Sequence, residues 1–158
     1  MFDKSQRSRF DYWFAHWCAF QMTALNYKSW RLKYLFHDME KPFLRLFMKY
    51  KKLQKLHRTH NRHHPEWLES RLKGDVSEAK LRKLLEKFDY HGAAIDWECS
   101  HFTKVAQPRD AYHEYLTVFN YNNFAKKYPN IARMCYNEFS MRMFNAIKEL
   151  GLYRDGKF

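Results

Sequence analysis

The sequence predicts an all-α fold, a single-domain bundle of five to seven helices that spans residues 1–158. Hydrophobic residues make up 46% of the chain and aromatic residues 19%, which is enough to bury a sizeable core. Glycine and proline number only four each, too few for the tight turns that an all-β fold needs. Apolar residues recur at helical spacing along most of the chain, so we expect helices packed in a bundle.

The first two predicted helical regions lie on either side of the pair His37-Asp38. From residue 8 to about residue 36, apolar residues recur every three or four positions, in one helix or in two. One stripe of this region contains Trp13, His16, Trp17, Phe20 and Ala24. The next helix opens at Pro42 and runs amphipathically until Pro65, which disfavours helical geometry at the residue before it.

Two shorter helices are predicted in the middle of the chain. The segment GDVSEAKLRKLLEKF begins with Asp75 three residues before Glu78, as in a capping box, and continues with leucines at helical spacing. Another helix covers residue 90 to about residue 103.

The C-terminal part of the chain is predicted to contain two more helices. Pro108 and Asp110 mark a helix start, and Pro129 closes that segment. The last helix runs from residue 131 to residue 150 and ends at Gly151, a natural C-cap. The chain contains no internal repeat, low-complexity segment or linker, so we expect one domain.

The chain is strongly basic, with 29 Lys and Arg against 17 Asp and Glu and a formal net charge of +12. Such a charge attracts polyanions, so it favours a phosphate-bearing partner over the alternative that the charge serves solubility alone. A phosphorylated small molecule, a nucleotide or a nucleic acid would satisfy this prediction. The C-terminal aromatic residues and methionines either stack bases or, as is more common at helical spacing, form core. They include Phe119, Tyr121, Phe124, Met134, Met141, Met143 and Phe144.

Three features predict a soluble, cytoplasmic protein without membrane contact. Cys18, Cys99 and Cys135 are far apart and form no CxxC pair, as expected of reduced thiols. The N-terminus carries charges where a signal peptide has its apolar segment. The longest uncharged run, residues 12–27, is too short to span a bilayer.

Four of the nine histidines lie in the stretch HRTHNRHHPEW, residues 57–67. If the helix continues to Pro65, Leu53, His57, His60 and His64 form one stripe, at intervals of four, three and four. A single histidine in such a stripe is most often a hydrogen-bonded core residue. Several buried imidazoles together need a compensating ligand, so the cluster favours a metal site.

Two aspartates complete the candidate ligands. Asp38 follows His37, and an imidazole beside a carboxylate supplies the nitrogen and oxygen donors that borderline divalent ions accept. Asp96 shares a predicted helix face with small residues, where a neighbouring helix can approach closely. Its carboxylate is therefore either a buried hydrogen-bond acceptor or a metal ligand.

The order of these residues resembles that of the HD-domain metal-dependent phosphohydrolases, which are all-helical enzymes. Their pattern is an early histidine, an HD pair, further histidines and a late aspartate, matched here by His16, His37-Asp38, the histidines of residues 57–64 and Asp96. The double histidine at 63–64 is similar to that of the HD-GYP branch, although no GYP-like segment follows. The resemblance implies an HD-like helical domain.

The motifs HDMEK, HNRHHPEW, DWECSHFTK and PRDAYHEY resemble more closely an uncharacterised family of small phage and bacterial proteins. That family has HD-x-x-K, then N-x-HH-x-x-W, then DWE, and the likeness covers residues 16–115. The chain departs from it at Glu40, where a serine commonly precedes the lysine, and in its basic, aromatic C-terminal part, residues 110–158. A phage origin would place the protein in the host cytoplasm.

The resemblance implies one or two divalent ions, and the donors present do not distinguish Mn, Fe, Zn and Mg. His37, Asp38 and Asp96 would hold a central ion, with His16 completing its ligands. A second ion would be held by some or all of His60, His63 and His64.

The resemblance also implies roles around the ions. Asp38 would orient the attacking water, and Lys41 would meet the substrate phosphate as a point charge. Asn61, Trp67 and Glu98 would fix the tautomers of metal-bound histidines, with core packing as the alternative for Trp67. His57 is left without a role but shares the histidine stripe, so we expect it near the site.

The leading hypothesis is a metal-dependent phosphohydrolase acting on a nucleotide or another small phosphorylated compound. The alternative hypothesis is a non-catalytic basic helical protein that binds nucleic acid or a protein assembly and whose metal ion has a structural role. A third class is an iron-containing oxidase or sensor. Coordination positions open to a basic cleft favour the enzyme, and a site closed by protein ligands favours the alternative hypothesis.

Overall fold

A computed structural model of the protein describes residues 9–103 and 110–154, and over these residues the chain is helical without β-strands. The predicted all-α class is confirmed. The described residues form nine α-helices and one 3-10 helix, more than the five to seven helices predicted. The helices are α1 Arg9–Asn26, the 3-10 helix Leu32–Phe36, α2 Glu40–Leu44, α3 Tyr50–His60, α4 Pro65–Arg71, α5 Glu78–Lys87, α6 Tyr90–Thr103, α7 Ala111–Val118, α8 Tyr121–Lys127 and α9 Pro129–Glu149.

Of the additional helices, α4 was not predicted, and the others arise because two predicted helices are interrupted. The predicted helix between Pro42 and Pro65 is divided into α2 and α3, with Leu46 and Phe47 in the break. These two side chains are 78% and 84% exposed, so no core packing holds a continuous helix there. The predicted helix before Pro129 is likewise divided into α7 and α8, because Asn120 caps the N-terminus of α8 by accepting a hydrogen bond from the Asn123 amide.

Helix ends follow local signals, with one correction. The start of α5 is capped by Ser77, whose side chain accepts from the Lys80 amide, and not by Asp75 as predicted. Asp110 caps α7 as expected, while Pro108 lies outside the described residues. After α9, Gly151 adopts a φ of 72°, and the Leu152 amide donates to the Ile147 carbonyl across it. This left-handed turn is the C-cap that glycine favours.

The core is formed around α6, which packs against α1, α7 and α9. Ala93 and Ala94 on α6 are fully buried, and their small side chains let neighbouring helices approach closely. Aromatic rings fill the C-terminal half, where Phe139 lies 4.9 Å from Phe88 and 6.4 Å from Phe124 between ring centroids. The C-terminal aromatic residues are therefore in large part core, although Tyr121 stays 55% exposed.

Two tryptophans of α1 hold the segment that carries the HD pair. The Trp13 indole donates to the Asp38 carbonyl over 2.8 Å, and the Trp17 indole donates to the Leu35 carbonyl over 3.0 Å. Phe20, one turn further along α1, stacks on the His37 ring with centroids 3.7 Å apart. The apolar stripe of α1 thereby positions the two residues that the sequence marked.

Two further predictions concern the state of the cysteines and contact with a membrane. Cys18, Cys99 and Cys135 form no disulfide with one another, and the latter two are buried. Among the helices of residues 9–103 and 110–154, none combines the length and the apolar character that crossing a membrane requires.

Candidate metal centre

Histidine and aspartate side chains from five parts of the chain meet at one end of the helical packing. Helix α1 contributes one, the link between the 3-10 helix and α2 two, α3 one, the turn between α3 and α4 two, and α6 one. In that order they are His16, His37, Asp38, His57, His63, His64 and Asp96. These residues could hold a metal ion, and we call them the His/Asp cluster.

Three donor atoms from three elements form the first part of the cluster. His16 Nε2 lies 3.1 Å from Asp96 Oδ1, and His37 Nε2 lies 3.5 Å from the same oxygen. The two imidazole nitrogens are 3.3 Å apart. Ligands bound at about 2.1 Å in a tetrahedral site are separated by roughly 3.4 Å, so this triad fits one ion.

Three histidines form the second part. His57 Nε2 and His64 Nε2 are 2.9 Å apart, and the His63 ring lies 4.2 Å from the His64 ring between centroids. One nitrogen from each ring lies within 4.8 Å of the others. A second ion therefore also has three nitrogen donors available.

Asp38 lies between the two parts. Its Oδ1 is 3.1 Å from His57 Nε2, and its Oδ2 is 3.6 Å from His16 Nε2. The residue adopts a φ of 57°, in the left-handed region, which a residue with a side chain occupies at a cost of about 1–3 kcal/mol. The indole of Trp13 and the amide of Lys41 both donate to its carbonyl and hold this conformation.

Two buried polar atoms of the cluster lack a hydrogen-bond partner. They are Asp38 Oδ1 and His63 Nε2. Although His57 Nε2 is 3.1 Å from Asp38 Oδ1, the pair does not have hydrogen-bond geometry. Each unsatisfied buried atom costs about 1–3 kcal/mol, and a bound cation would satisfy both. The donor set and these two atoms fit a metal ion.

The protonation states of four residues of the cluster also suit metal binding. Burial opposes ionisation of Asp38 and Asp96, but neighbouring histidines, and Lys41 beside Asp38, outweigh it and hold both pKa values well below the ordinary range. Burial lowers the pKa of His63 to about 4 and that of His64 well below its usual value. At neutral pH both carboxylates are therefore charged and these two imidazoles neutral, as metal ligands must be.

A carboxylate that the sequence did not single out orients His57. Glu40 Oε1 contacts His57 Nδ1, and Asn61 Nδ2 donates to Glu40 Oε1 over 2.9 Å and to the His57 carbonyl over 2.9 Å. Burial opposes protonation of His57, but the neighbouring carboxylates of Asp38 and Glu40 outweigh it and raise its pKa. Because Nδ1 is held by Glu40, Nε2 faces the cluster. Asn61 therefore contacts both His57 and the carboxylate that orients it.

His60, predicted as a ligand, takes no part in the cluster. It lies exposed at the last residue of α3, and its Nδ1 hydrogen-bonds the Leu56 carbonyl over 2.9 Å. The predicted stripe assumed that the helix continues to His64. Because α3 ends at His60, the following turn brings His63 and His64 inward, and the buried histidine of α3 is His57.

Trp67 and Glu98 also lie apart from the groups that could hold an ion. Trp67 is 4% exposed in the core, with the Arg71 guanidinium over its ring, so the core-packing alternative describes it. Glu98 is two residues after Asp96 and so points about 200° away around α6. Its carboxylate accepts from the Ala111 amide over 2.8 Å and from Arg154 over 3.1 Å, which anchors the start of α7 and the C-terminal segment.

The cluster opens to solvent beside Lys41 and Glu40. Their side chains are 24% and 33% exposed, against 1–3% for those of His37, Asp38 and His57. Lys41 Nζ lies 2.5 Å from Asp38 Oδ2. Two grooves on the described surface, of about 350 and 300 Å³, are lined by other residues.

By sequence and by structure, no protein-family model, no curated protein and no solved structure matches the chain. The resemblance to HD-domain proteins therefore stays a prediction, and the chemistry of the site has to be argued from its residues.

Proposed function

We propose that the protein is a metal-dependent phosphohydrolase acting on a nucleotide or another small phosphorylated compound. The observation that carries this proposal is the convergence of two imidazole-rich groups on one buried carboxylate, Asp38, whose Oδ1 lacks a hydrogen bond. The ordered HD-type motifs and the formal net charge of +12 support a phosphorylated substrate.

The proposed ion sites follow from the two parts of the cluster. His16, His37 and Asp96 would hold one ion and His57, His63 and His64 another, with Asp38 between them. Five or more imidazoles favour borderline ions such as Mn, Fe and Zn over Mg, which prefers oxygen ligands. Bound divalent ions supply Lewis-acid charge and a water of lowered pKa.

The chain's own residues would contribute positioning and charge. The ionised Asp38 accepts a hydrogen bond from a water and orients it. Lys41, at the exposed edge of the cluster, attracts the substrate phosphate as a point charge. Glu40 and Asn61 hold His57 in the tautomer that leaves Nε2 free.

One observation favours the second candidate, a structural metal site in a binding protein. The side chains of His37, Asp38 and His57 are only 1–3% exposed, and the ammonium of Lys41 already pairs with Asp38. In a catalytic site, Lys41 has to move away from Asp38 so that a coordination position becomes accessible. A metal ion that only stabilises the fold does not require this movement.

Metal loading combined with a hydrolysis screen tests the proposal. Chelated protein is reloaded with Mn, Fe, Zn or Mg, the ions per chain are counted, and mononucleotides, cyclic and linear dinucleotides and phosphodiesters are offered. We expect metal-dependent hydrolysis that Asp38→Ala abolishes and that His60→Ala, the matched control on the exposed side of α3, retains. If no substrate is cleaved and Asp38→Ala only lowers Tm, the site is a structural metal site.

A further inference from the structure

The stretch from Phe43 to Arg58 presents a surface of unusual composition. Every exposed residue in it is either apolar or aromatic, or basic. The apolar and aromatic ones are Phe43, Leu46, Phe47 and Tyr50, and the basic ones are Lys49, Lys51, Lys52, Lys55 and Arg58. We call these nine residues the basic-apolar surface.

The apolar residues are exposed as a group and not singly. Phe43 lies in α2, Leu46 and Phe47 follow in the turns after it, where their amides donate to the Phe43 and Leu44 carbonyls, and Tyr50 begins α3 after the extended Lys49. Their exposed fractions are 63%, 78%, 84% and 56%. In the same turns the charged Lys41 and Arg45 are only partly exposed, so this stretch turns its apolar side outward.

The positive charge beside these residues has little internal compensation. Residues 41–58 contain seven Lys and Arg and no Asp or Glu. Lys41 pairs with Asp38 and Arg58 with Glu66. Among residues 11–100 and 110–154, no acidic partner is found for Lys49, Lys51 or Lys52. Elsewhere an exposed arginine such as Arg82 is paired with two glutamates.

These charges distinguish among the partners that could bind such a surface. A second copy of the chain would bring lysines against lysines, which disfavours a symmetric dimer through this face. A nucleic acid would use the lysines but would leave the aliphatic Leu46 in water, because bases stack on aromatic rings. An anionic lipid surface uses both parts, since headgroup phosphates pair with lysines and the interface accepts Phe and Leu side chains.

We propose that the basic-apolar surface docks the protein onto an anionic lipid bilayer. Phe43, Leu46 and Phe47 enter the headgroup region, and Lys49, Lys51 and Lys52 lie against the lipid phosphates. The protein is then a peripheral membrane protein, in contrast to the absence of membrane contact expected from the sequence. This inference does not depend on the chemistry of the His/Asp cluster.

Vesicle co-sedimentation of the full chain tests the proposal. Vesicles of phosphatidylcholine alone are compared with vesicles that contain about one third phosphatidylglycerol. We expect binding to the anionic vesicles only, weakening as salt is raised. The triple variant Phe43→Ser, Leu46→Ser, Phe47→Ser should bind at least about tenfold more weakly. The control variant Leu116→Ser, Met141→Ser, whose two residues are 52% and 57% exposed elsewhere, should bind as the wild type does.

The charge contribution is measured separately. Replacing Lys49, Lys51 and Lys52 by Ser should weaken binding by roughly fivefold per lysine and flatten its salt dependence. Circular dichroism of each variant should match the wild type, because all eight substituted side chains are exposed.

Three outcomes overturn the proposal. The first is equal binding of the triple variant and the control variant. The second is binding of the wild type to neither kind of vesicle, with single-stranded DNA bound through the same lysines. The third is a wild-type dimer in light scattering that the triple variant converts to monomer, which assigns the surface to a second copy.

Discussion

Glu40→Gln should weaken metal binding by about tenfold, although Glu40 is not proposed to contact the ion. Its carboxylate contacts His57 Nδ1 and accepts a hydrogen bond from Asn61 over 2.9 Å. The glutamine side chain has the same shape but lacks the negative charge that holds the Nδ1–H and makes Nε2 a better donor. Losses of this kind are roughly ten- to a hundredfold in metal affinity.

The size of the effect follows from the position of Glu40. Its side chain is 33% exposed, so water partly screens the charge, and the low end of that range applies. A tenfold loss corresponds to about 1.4 kcal/mol. Because Asn61 also donates to the His57 carbonyl over 2.9 Å, the ring stays near its place and the fold is retained.

Competition with a chelator of known affinity measures the change, with Zn or Mn as the ion. The matched control is Glu66→Gln, which removes a carboxylate paired with Arg58 outside the His/Asp cluster and should leave the affinity unchanged. Equal affinity of the wild type and Glu40→Gln would refute the role of Glu40. A loss as large for Glu66→Gln as for Glu40→Gln would show that only net charge matters.

Three further predictions follow from the described contacts. Removing the metal with a chelator should lower Tm, since an ion at a hundred times its dissociation constant stabilises the fold by about 2.7 kcal/mol. In thermal melts, His63→Ala but not His60→Ala should reduce the difference in Tm between the metal-loaded and the chelated protein. Phe139→Ala should cost about 3–5 kcal/mol in urea unfolding, because the ring is fully buried; a cost below about 1 kcal/mol would contradict that packing. Arg154→Ala should cost about 2 kcal/mol after allowance for the 44% exposure of its side chain, without changing metal affinity. Burial opposes the charge on Asp110, but hydrogen bonds from His113 and the charge of Arg154 lower the pKa of Asp110. The stability that Arg154 contributes is therefore complete above about pH 4 and is lost as the pH falls below that value. If Arg154→Ala still destabilised the protein at acid pH, that result would contradict the pairing.

The helical class and most helix positions could be predicted because they depend on local signals. Periodic apolar residues, the cap at Asp110 and the glycine at residue 151 act within a few positions of themselves. The sequence also marked Asp38, because it follows His37 in an HD pair, and Asp96, because it shares a helix face with small residues. That these residues meet was predicted from the resemblance to HD-domain enzymes.

What the sequence could not decide depended on helix ends and on side-chain direction. His57 and His60 point about 60° apart around α3, so the rotation of this helix against its neighbours decides that His57 faces the cluster. The end of α3 at His60, four residues earlier than predicted, lets the following turn bring His63 and His64 inward.

The directions in which the Glu40 and Glu98 carboxylates point could not be predicted from the sequence either. Glu40 lies in a helix of only five residues, too short for a periodic pattern to show which way it points. Glu98 shares the DWE motif with Asp96 but faces Arg154, 56 residues away in the chain. The sequence therefore determined the helical class and marked most residues of the His/Asp cluster, whereas the packing of α1, α3 and α6 decided which residues meet, because contacts between distant segments leave no local pattern.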